Sequence, residues 1–357
     1  MLSVIMAGGS GQRFWPRSRQ RHPKQLINLT GQGSMISVTV ERMRAFSRPE
    51  EIIILTNVTQ AEAIARDVDG EVPRENIIGE PVGRNTAPSI GLAAVLIERR
   101  FGDKPFMVLP ADHLVSDLDI FERSVRQAEA FARDNDSLLT FGITPTRPET
   151  GYGYIRAGET LSDTDGVSLF RADSFHEKPS IEKAREFLGS GDFFWNSGMF
   201  LWRPRVILEA IQTHLPDLDS MLLELAQRLG TESIDDVLKS IYGDAPKVSI
   251  DYGVMEKADN VVVVRGDFYW NDVGSWESIR EMFSKDKNGN VLVGDHIVVD
   301  GKGNTVFSPD RLVGVVGLED VVVVDSGDAI LVAKRDRVQQ VRDVVEALKR
   351  DGKDHLT

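Results

Sequence analysis

Residues 2–26 read LSVIMAGGSGQRFWPRSRQRHPKQL, and this segment sets the architecture that we predict for the rest of the chain. The apolar run Leu2–Ala7 has the length and composition of a buried strand. Three glycines follow it closely, at Gly8, Gly9 and Gly11. Because glycine has no Cβ, the backbone can turn sharply there and present its N–H groups to an anion. The segment therefore predicts a strand that ends in an anion-binding loop.

Two cations accompany this loop, Arg13 just after Gly11 and Lys24 further along the same segment. Two well-known phosphate motifs do not match, since a Walker loop requires GxxxxGK[ST] and the dinucleotide fingerprint requires a glycine where Phe14 stands. A glycine loop with nearby cations suits a triphosphate, because backbone donors bind its oxygens while arginine and lysine neutralise its charge. The alternative is an ordinary glycine turn flanked by surface cations.

Short apolar runs and helical patterns alternate over the first half of the chain. The runs of strand length that follow the first one lie at residues 52–55, 106–109 and 138–143. Apolar residues at helical spacing recur between and after them, at 36–43, 90–101 and 121–132. This order predicts the α/β class, with a Rossmann-like, mostly parallel sheet that is covered by helices on both faces.

The middle of the chain is less regular. Ser180 has the position of an N-cap and Gly189 that of a C-terminal stop for one short helix. Residues 204–242 are rich in helical patterns and are interrupted at Pro216. These features predict a largely helical segment before the chain returns to the sheet.

The composition changes near residues 285–289. From 290 to 333 the sequence is rich in valine, with glycine and aspartate every few residues, which predicts short strands and tight turns. A helical pattern closes the chain. We therefore predict two domains, 1–283 and 288–357, the second a smaller β-rich module with a closing helix. No clean repeat period is visible there, so a left-handed β-helix stays an open alternative.

The overall composition excludes several classes of partner and cofactor. The 357 residues carry a formal net charge of −13, which argues against nucleic acid and anionic membranes as general partners. The chain has no cysteine, and its six histidines form no HxxxH or HExxH pair, so a metal would need oxygen or isolated imidazole ligands. Oxygen ligands favour Mg²⁺ or Mn²⁺. The first apolar run is too short for a signal peptide or a membrane span, so we expect a cytoplasmic protein.

Two aspartates are candidates for metal binding. Asp112 stands in LPADH at 109–113, at the C-terminal end of a predicted strand, where open α/β sheets bind their ligands. Its alternative role is to cap the following helix, and His113 beside it is interpreted as structural. Asp272 stands in NDVGSW at 271–276, where the alternative is a turn residue.

Three further segments offer groups that would suit a phosphorylated sugar. FHEKP at 175–179 contains Glu177 and Lys178, which could bind a hydroxyl and a phosphate or could form an ordinary surface ion pair. Asn196 enters an apolar strand in WNSGMFLW, where a buried structural asparagine is the alternative. GYGYI, which contains Gly153, would form either a tight loop against a sugar or a simple turn.

Taken in order, these segments resemble the sugar-1-phosphate nucleotidyltransferases, and among them the mannose-1-phosphate guanylyltransferases. The resemblance covers residues 1 to about 280, and a short C-terminal β module also fits it. Three stretches carry the narrower assignment: FWPRSRQRHPKQL at 14–26, EPVGRNTAP at 80–88, and IDYGVMEKADNVVVV at 250–264, which leads to WNDVGSW. His176 and Ser180 depart from the pattern usual around EKP, and neither departure removes a proposed contact.

The resemblance implies a role for each matching residue. The loop Ala7–Gly11, including Gly8 and Gly9, would bind the nucleotide, and the cations Arg13 and Lys24 would bind its triphosphate. Asn85 would be the reader of the base. Asp112 and Asp272 would bind Mg²⁺, with Mn²⁺ as the alternative ion, and Asp112 would also belong to the nucleotide site. Four residues would bind mannose 1-phosphate: Gly153, Glu177, Lys178 and Asn196.

The implied reaction moves GMP from GTP to mannose 1-phosphate, with Arg13, Lys24, Asp112, Lys178 and Asp272 as the catalytic set. The attacking phosphate oxygen is already an anion, so direct displacement needs no general base, and no Ser-His or Cys-His pair is evident. Two alternatives remain: a nucleotidyltransferase for glucose, heptose or N-acetylglucosamine 1-phosphate, and a non-catalytic regulator that binds nucleotide sugars. The C-terminal module is expected to serve stability or assembly, for example as a homodimer interface, which the molar mass in solution would test.

Overall fold

The computed structural model describes residues 1–9 and 11–357, and its contacts divide the chain into two compact units. The larger unit comprises Met1–Gly8, Ser37–Ala111 and Val115–Trp270. The smaller unit comprises Gly9–Ile36, Asp112–Leu114 and Asn271–Thr357. Each unit is therefore assembled from separate stretches of the chain. Ser10, inside the predicted nucleotide loop, lies outside the described residues.

The larger unit contains a nine-stranded sheet. Its strands are β1 (Leu2–Ala7), β2 (Ile52–Asn57), β3 (Ile77–Glu80), β4 (Phe106–Pro110), β6 (Leu138–Ile143), β7 (Gly153–Thr164), β8 (Val167–Glu177), β9 (Phe193–Trp202) and β10 (Val261–Gly266). Their order is β3-β2-β1-β4-β9-β6-β10-β8-β7. The first four strands in this order are mutually parallel, and β6 and β10 are parallel to each other. The predicted α/β class is confirmed.

Antiparallel pairing enters this sheet at two places that the sequence patterns did not predict. Strand β9 lies between β4 and β6 and is antiparallel to both. Strands β7 and β8 form a long antiparallel hairpin, and β8 is also antiparallel to β10. Two short strands, β5 (Leu114–Val115) and β11 (Trp270–Asn271), pair separately.

Helices follow most strands of the larger unit. They are α1 (Met35–Met43, which begins in the smaller unit), α2 (Val58–Asp67), α3 (Thr86–Phe101), α4 (Leu118–Asp134), α5 (Ile181–Ser190), α6 (Pro204–His214), α7 (Pro216–Arg228) and α8 (Ile234–Ile241). Ser180 caps α5, as expected, because its hydroxyl accepts a hydrogen bond from Lys183 N–H at 3.4 Å. The stop predicted at Gly189 is wrong, since α5 continues through Ser190 and ends at Gly191, whose φ of 78° suits only a residue tolerant of left-handed backbone.

Helix α3 is the central helix of the larger core. All of its residues from Ala87 to Ile97 are buried, and it packs against α6 and α7. Strand residues such as Val4, Leu55 and Val108 complete this core beneath it. The burial of α3 holds its N-terminus, at Asn85, in one place at the end of β3.

The smaller unit contains a four-stranded sheet and the closing helix. Its elements are α9 (Ile279–Met282), β12 (Val291–Val299), β13 (Thr305–Val316), β14 (Val321–Asp325), β15 (Ile330–Lys334) and α10 (Val341–Arg350). The strands lie in chain order, with β12, β13 and β14 parallel and β15 antiparallel. Parallel neighbours joined by connections of only a few residues are what a β-helix coil produces. The predicted β-rich module is confirmed.

The helices in the described part of the chain all lack the length and hydropathy that a membrane span requires.

Candidate active site

The glycine loop folds closely over Lys24. Gly11 has a φ of 61°, and a Cβ there would lie 2.5 Å from the Cβ of Lys24, so only glycine fits. The Gly11 carbonyl accepts hydrogen bonds from Phe14 N–H at 2.8 Å and from the Ser18 hydroxyl at 2.6 Å. These contacts tie the two ends of the predicted triphosphate segment into one rigid turn.

The ammonium of Lys24 joins three separate stretches of the smaller unit. Its Nζ donates to the carboxylate of Asp112 at 2.9 Å, to the carbonyl of Asp112 at 3.0 Å and to the carbonyl of Asp272 at 2.8 Å. The Lys24 side chain is only 7% exposed. The glycine loop and the two predicted metal ligands are therefore brought together around one buried cation.

Asp112 is not a helix cap, because Asp117 occupies the N-cap position of α4. Burial raises the pKa of the Asp112 carboxyl, but the charges of Lys24 and His113 and the hydrogen bond from Lys24 outweigh it. The pKa of Asp112 therefore lies below its usual value, and the group is a carboxylate at neutral pH. Asp272 does act in a turn, since its Oδ1 accepts from Gly274 N–H at 3.1 Å.

The donor set around Lys24 suits a small, hard cation. Lys24 contacts one carboxylate, that of Asp112, and the backbone carbonyls of Asp112 and Asp272, whose own carboxylate follows in the same turn. Mg²⁺ is commonly bound through one or two carboxylates together with substrate phosphates. Among residues 1–9 and 11–357, no group of three or more histidine, cysteine, aspartate or glutamate side chains is arranged so that it could hold a metal ion by itself. The residues thus fit an ion whose remaining ligands come from a substrate, and they do not form a complete protein cage.

Strained backbone marks two of the predicted segments. Seven described residues other than glycine have a positive φ, and five of these are aspartate or asparagine, which tolerate it. The other two are Lys178, at 49°, and Val273, at 47°. Val273 follows Asp272 directly and is fully buried, so packing holds a β-branched residue in an unfavourable conformation. Such strain clusters at functional sites.

A second group of predicted residues meets in the larger unit. A Cβ on Gly153, at the start of β7, would lie 2.6 Å from a carboxylate oxygen of Glu177 and 3.2 Å from the Cβ of Asn196. Gly153 also pairs directly with Glu177 across the β7–β8 ladder. Three residues that the sequence placed near the sugar phosphate are therefore neighbours on adjacent strands.

Asn196 is held on both sides of its carboxamide. Its oxygen accepts from the Thr140 hydroxyl at 2.9 Å, and its amide donates to the carboxylate of Asp251 at 2.8 Å. Burial and the nearby charge of Glu177 raise the pKa of Asp251 to about 6, against the opposing effect of Asn196. These hydrogen bonds fix the orientation of the Asn196 carboxamide, as the structural alternative requires. They also leave one amide hydrogen of Asn196 for another acceptor, such as a ligand.

Lys178 lies at the rim of this second group. Its Nζ is 2.9 Å from Glu177 Oε1, and its side chain is 56% exposed, whereas that of Glu177 is 9% exposed. Burial lowers the pKa of Lys178, but the hydrogen bond and charge of Glu177 outweigh it and the net shift is upward. Lys178 is therefore a fully charged ammonium that can reach solvent.

The predicted base reader, Asn85, caps helix α3. Its side-chain oxygen accepts from Thr86 N–H at 3.0 Å, and its φ of 69° and ψ of −167° fall in a region normally reserved for glycine. The same stretch of sequence contains Glu80, to which the sequence analysis assigned no role. Glu80, at the end of β3, accepts from the Ser89 hydroxyl at 2.5 Å and from the hydroxyl of Tyr242.

Glu80 faces the start of the glycine loop. A Cβ on Gly8 would lie 3.9 Å from Glu80 Oε2, the oxygen that Ser89 and Tyr242 do not use. Burial raises the pKa of Glu80, and the two hydroxyls oppose this only in part. The carboxyl end of β1, where Ala7 stands, is therefore lined by a buried acidic side chain.

Arg13 and Gly9 differ from the residues above in having open surroundings. Among the described residues, Arg13 makes no hydrogen bond or ion pair, and a Cβ on Gly9 would meet nothing within 4 Å. Both are available to a ligand.

Comparison with known proteins identifies the family to which this chain belongs. Residues 2–289 match the nucleotidyl transferase family model, and residues 294–348 match the mannose-phosphate isomerase/GMP-like β-helix domain. A mannose-1-phosphate guanylyltransferase from Klebsiella pneumoniae is 41% identical over 98% of this chain and 74% of its own length. The alginate biosynthesis protein AlgA from Pseudomonas aeruginosa is 40% identical over 99% of this chain and 73% of its own length.

One solved structure is similar to nearly the whole chain. The crystal structure of a mannose-1-phosphate geranyltransferase from Thermus thermophilus superposes with a TM-score of 0.87 at 35% identity, covering 98% of this chain and 99% of that one. The chain belongs to the mannose-1-phosphate guanylyltransferase family.

Two polar residues of this guanylyltransferase-family chain escaped the sequence predictions. Asp251 and Glu80 both stand in stretches that carried the family resemblance, yet no role was assigned to them. The available signal was local: Glu80 ends a strand at the ligand edge of the sheet, and Asp251 follows a buried isoleucine, Ile250, in an otherwise apolar turn. Their partners Asn196 and Tyr242 are distant in sequence, so the contacts themselves were not predictable.

Proposed function

We propose that this chain transfers GMP from GTP to α-D-mannose 1-phosphate, which forms GDP-mannose and pyrophosphate. Family membership supports the choice of substrates. The structural observation that carries the proposal is the set of bonds from Lys24 to Asp112 and Asp272, because it brings a glycine loop and two carboxylate-bearing segments to one point. A triphosphate with a bound divalent cation needs this combination of donors, cations and carboxylates.

In the smaller unit, the backbone N–H groups of Gly9 and Gly11 and the side chain of Arg13 bind the phosphates. Asp112 and Asp272 would hold Mg²⁺, with Mn²⁺ as the alternative ion. When bound, the metal neutralises phosphate charge and orients the reacting oxygens. Lys24 fixes the positions of the two aspartates relative to each other and adds a positive charge beside them. Positioning and charge neutralisation are what a displacement between two polyanions requires.

In the larger unit, Glu177 and Asn196 bind hydroxyls of mannose, and Lys178 binds its phosphate. Gly153 allows Glu177 and Asn196 to take these positions, since any side chain there would strike Glu177. The sugar phosphate is already ionised, so its oxygen attacks the α-phosphorus of GTP without help from a general base. Pyrophosphate leaves with the electron pair of the broken P–O bond.

Glu80 supports guanine as the base. Guanine presents two neighbouring donors, N1–H and the 2-amino group, whereas the matching edges of adenine and uracil present acceptors beside their donor. A carboxylate accepts hydrogen bonds and donates none when ionised, so it pairs with guanine and repels the acceptors of the other bases. Asn85, capping α3 nearby in sequence, is the second candidate reader.

The direct test is a product assay. Wild-type protein is incubated with each of the four ribonucleoside triphosphates against the 1-phosphates of mannose, glucose, N-acetylglucosamine and heptose, with Mg²⁺ or with excess EDTA. We expect GDP-mannose as the main product, only when metal is present. Full turnover in EDTA would remove the metal assignment, and a different preferred sugar would replace mannose while leaving the chemistry intact.

Replacing Lys178 with alanine should impair the use of mannose 1-phosphate far more than the binding of GTP. The ammonium is exposed and pairs only locally with Glu177, so its loss should leave the fold intact. One charge-assisted contact is worth about 1.5–3 kcal/mol, roughly one to two decades in KM for the sugar phosphate. Calorimetry with GTP alone is the control, and an equal loss of GTP affinity there would contradict the role.

Replacing Glu80 with glutamine should raise the KM for GTP and should reduce the preference for GTP over the other nucleoside triphosphates. Glutamine keeps the shape and an acceptor for Ser89 and Tyr242, but it turns a donor toward the base. We expect KM for GTP to rise by roughly one to two decades while KM for ATP and UTP changes little.

The matched control for Glu80 is Asn85→Gly, which suits the backbone of that residue and removes only its side chain. If Asn85→Gly loses the guanine preference and Glu80→Gln retains it, then Asn85 reads the base and the role assigned to Glu80 is wrong.

A further inference from the structure

Two aromatic residues of the triphosphate segment are buried in the core of the C-terminal module. Phe14 and Trp15 are 1% and 6% exposed. The ring of Phe14 lies 4.9 Å from that of Trp276, which in turn lies 5.4 Å from Phe307 on β13. The same cluster continues to Val345 on the closing helix α10. The loop that is to bind GTP is thus part of the hydrophobic core of the β-helix module.

Directed hydrogen bonds fix this loop in addition to packing. The indole N–H of Trp276 donates to the carbonyl of Trp15 at 3.0 Å, inside the loop. The indole N–H of Trp15 donates to the carbonyl of Leu356 at 2.7 Å, and Gln20 N–H donates to the carbonyl of Thr357 at 2.9 Å. The backbone between Trp15 and Gln20 is therefore held from both sides by residues that lie beyond position 270.

The held segment is in contact with the cation at the centre of the site. Phe14 N–H bonds to Gly11, and Gly11 lies against Lys24, whose Nζ is 5.4 Å from the centre of the Phe14 ring. A shift of Phe14 or Trp15 would therefore move Gly11 and Lys24. Because packed cores resist small displacements, the module can hold these groups to within a fraction of an ångström.

We infer that the hydrophobic core shared by Trp276 and the C-terminal module positions the triphosphate loop, and that Trp276 and Trp15 are the positioning residues. Neither touches a reacting atom; each acts through Gly11 and Lys24. The inference rests on the proposed function for the identity of the nucleotide. It goes beyond the stability or assembly role expected from the sequence, because it makes nucleotide affinity depend on the core that Trp276 shares with β13 and α10 of the module.

The experiment compares Trp276→Phe with wild type in nucleotide binding by calorimetry, without acceptor, and then in steady-state kinetics. Phenylalanine keeps an aromatic ring against Phe14 and Phe307 but removes the donor to Trp15. We expect the Kd and KM for the nucleotide to rise about five- to thirtyfold, as for one buried hydrogen bond, with KM for the sugar phosphate unchanged. Measurements are made well below the melting temperature of each variant.

Two controls distinguish an effect on the position of the loop from a general loss of stability. Val322→Ala creates a cavity in the same core but removes no hydrogen bond to the loop, so it should lower the melting temperature and raise nucleotide Kd much less than Trp276→Phe does. In a Lys24→Met background, Trp276→Phe should add little further loss, because residues that act through one group are non-additive. Should Trp276→Phe not fold, Trp15→Phe removes the neighbouring bond to Leu356 and is tested in the same way.

Wild-type affinity in Trp276→Phe, or an equal rise in both KM values, would overturn the inference. So would a loss in Val322→Ala as large as that in Trp276→Phe. The nucleotide used is whichever of ATP, CTP, GTP and UTP the wild-type chain binds best. A preference other than GTP would therefore refute guanylyl transfer while the positioning role is still decided by the same comparison.

Discussion

Asp112→Asn and Asp272→Asn should each lower turnover by about 10³-fold or more, and the double variant should be hardly worse than either. Asparagine is nearly the same size, and its oxygen can still accept from Lys24 in the first case and from Gly274 in the second. The fold should therefore survive while one negative charge is lost. Since both aspartates are proposed to hold one Mg²⁺, losing either removes most of the benefit of the metal.

Each variant is checked by circular dichroism and assayed across a range of Mg²⁺ concentrations. Asp117→Asn is the matched control, because Asp117 stands at the N-cap position of α4, tolerates its φ of 56° as asparagine does, and accepts from Tyr269 N–H at 2.9 Å. It should keep near-wild-type activity. Single losses at Asp112 and Asp272 that simply multiply in the double variant would refute the shared metal, and high activity in either single variant would exclude that residue from the site.

Local patterns were sufficient to predict three strands of the parallel half of the sheet, but they missed the short strand β3 and the antiparallel pairings. Strands β1, β2 and β4 are continuous apolar runs, so both their existence and their burial could be predicted from composition. Strand β9 is just as apolar, but nothing in its sequence shows that it inserts antiparallel between β4 and β6. Pairing partners are chosen by tertiary packing, which a single strand does not encode.

The division of the molecule into two units was even harder to predict from the sequence than the strand pairing. The glycine loop precedes residue 27, and sequence proximity suggested that it belongs with β1. Instead Gly9–Ile36 packs with residues beyond 270, because Phe14 and Trp15 are buried against Trp276 and Phe307. Isolated aromatics in an irregular loop have no periodicity, so their burial leaves no sequence signal of its own.

Some candidate site residues could be predicted from local sequence, and others could not. Asp112, Lys24 and Glu177 could be proposed because charged residues at strand ends or in loops are conspicuous. Asp251 and Glu80 gain their meaning only from contacts made in the fold, with Asn196 and with Tyr242. The sequence could thus nominate residue types, while the environments that tune their pKa values required the structure.

Lys24→Met should lower kcat/KM for GTP by about two to three decades and should also destabilise the protein by about 1–3 kcal/mol. The three bonds from its Nζ hold Asp112 and Asp272 together, so methionine would leave a partly buried carboxylate and two carbonyls without their donor. Arg13→Met is the matched comparison within the same loop. Arg13 makes no hydrogen bond or ion pair among the described residues, so its loss should reduce GTP affinity with little change in the free energy of unfolding.

The double variant Lys24→Met with Asp112→Asn distinguishes the two roles of Lys24. Removing both partners of a buried pair costs less stability than removing one, so urea unfolding should show part of the lost stability restored. Activity should stay low, because a cation and a metal ligand are both absent. If Lys24→Met unfolds at the wild-type urea midpoint, then the contacts to Asp112 and Asp272 contribute nothing to the fold, and Lys24 acts on the triphosphate alone.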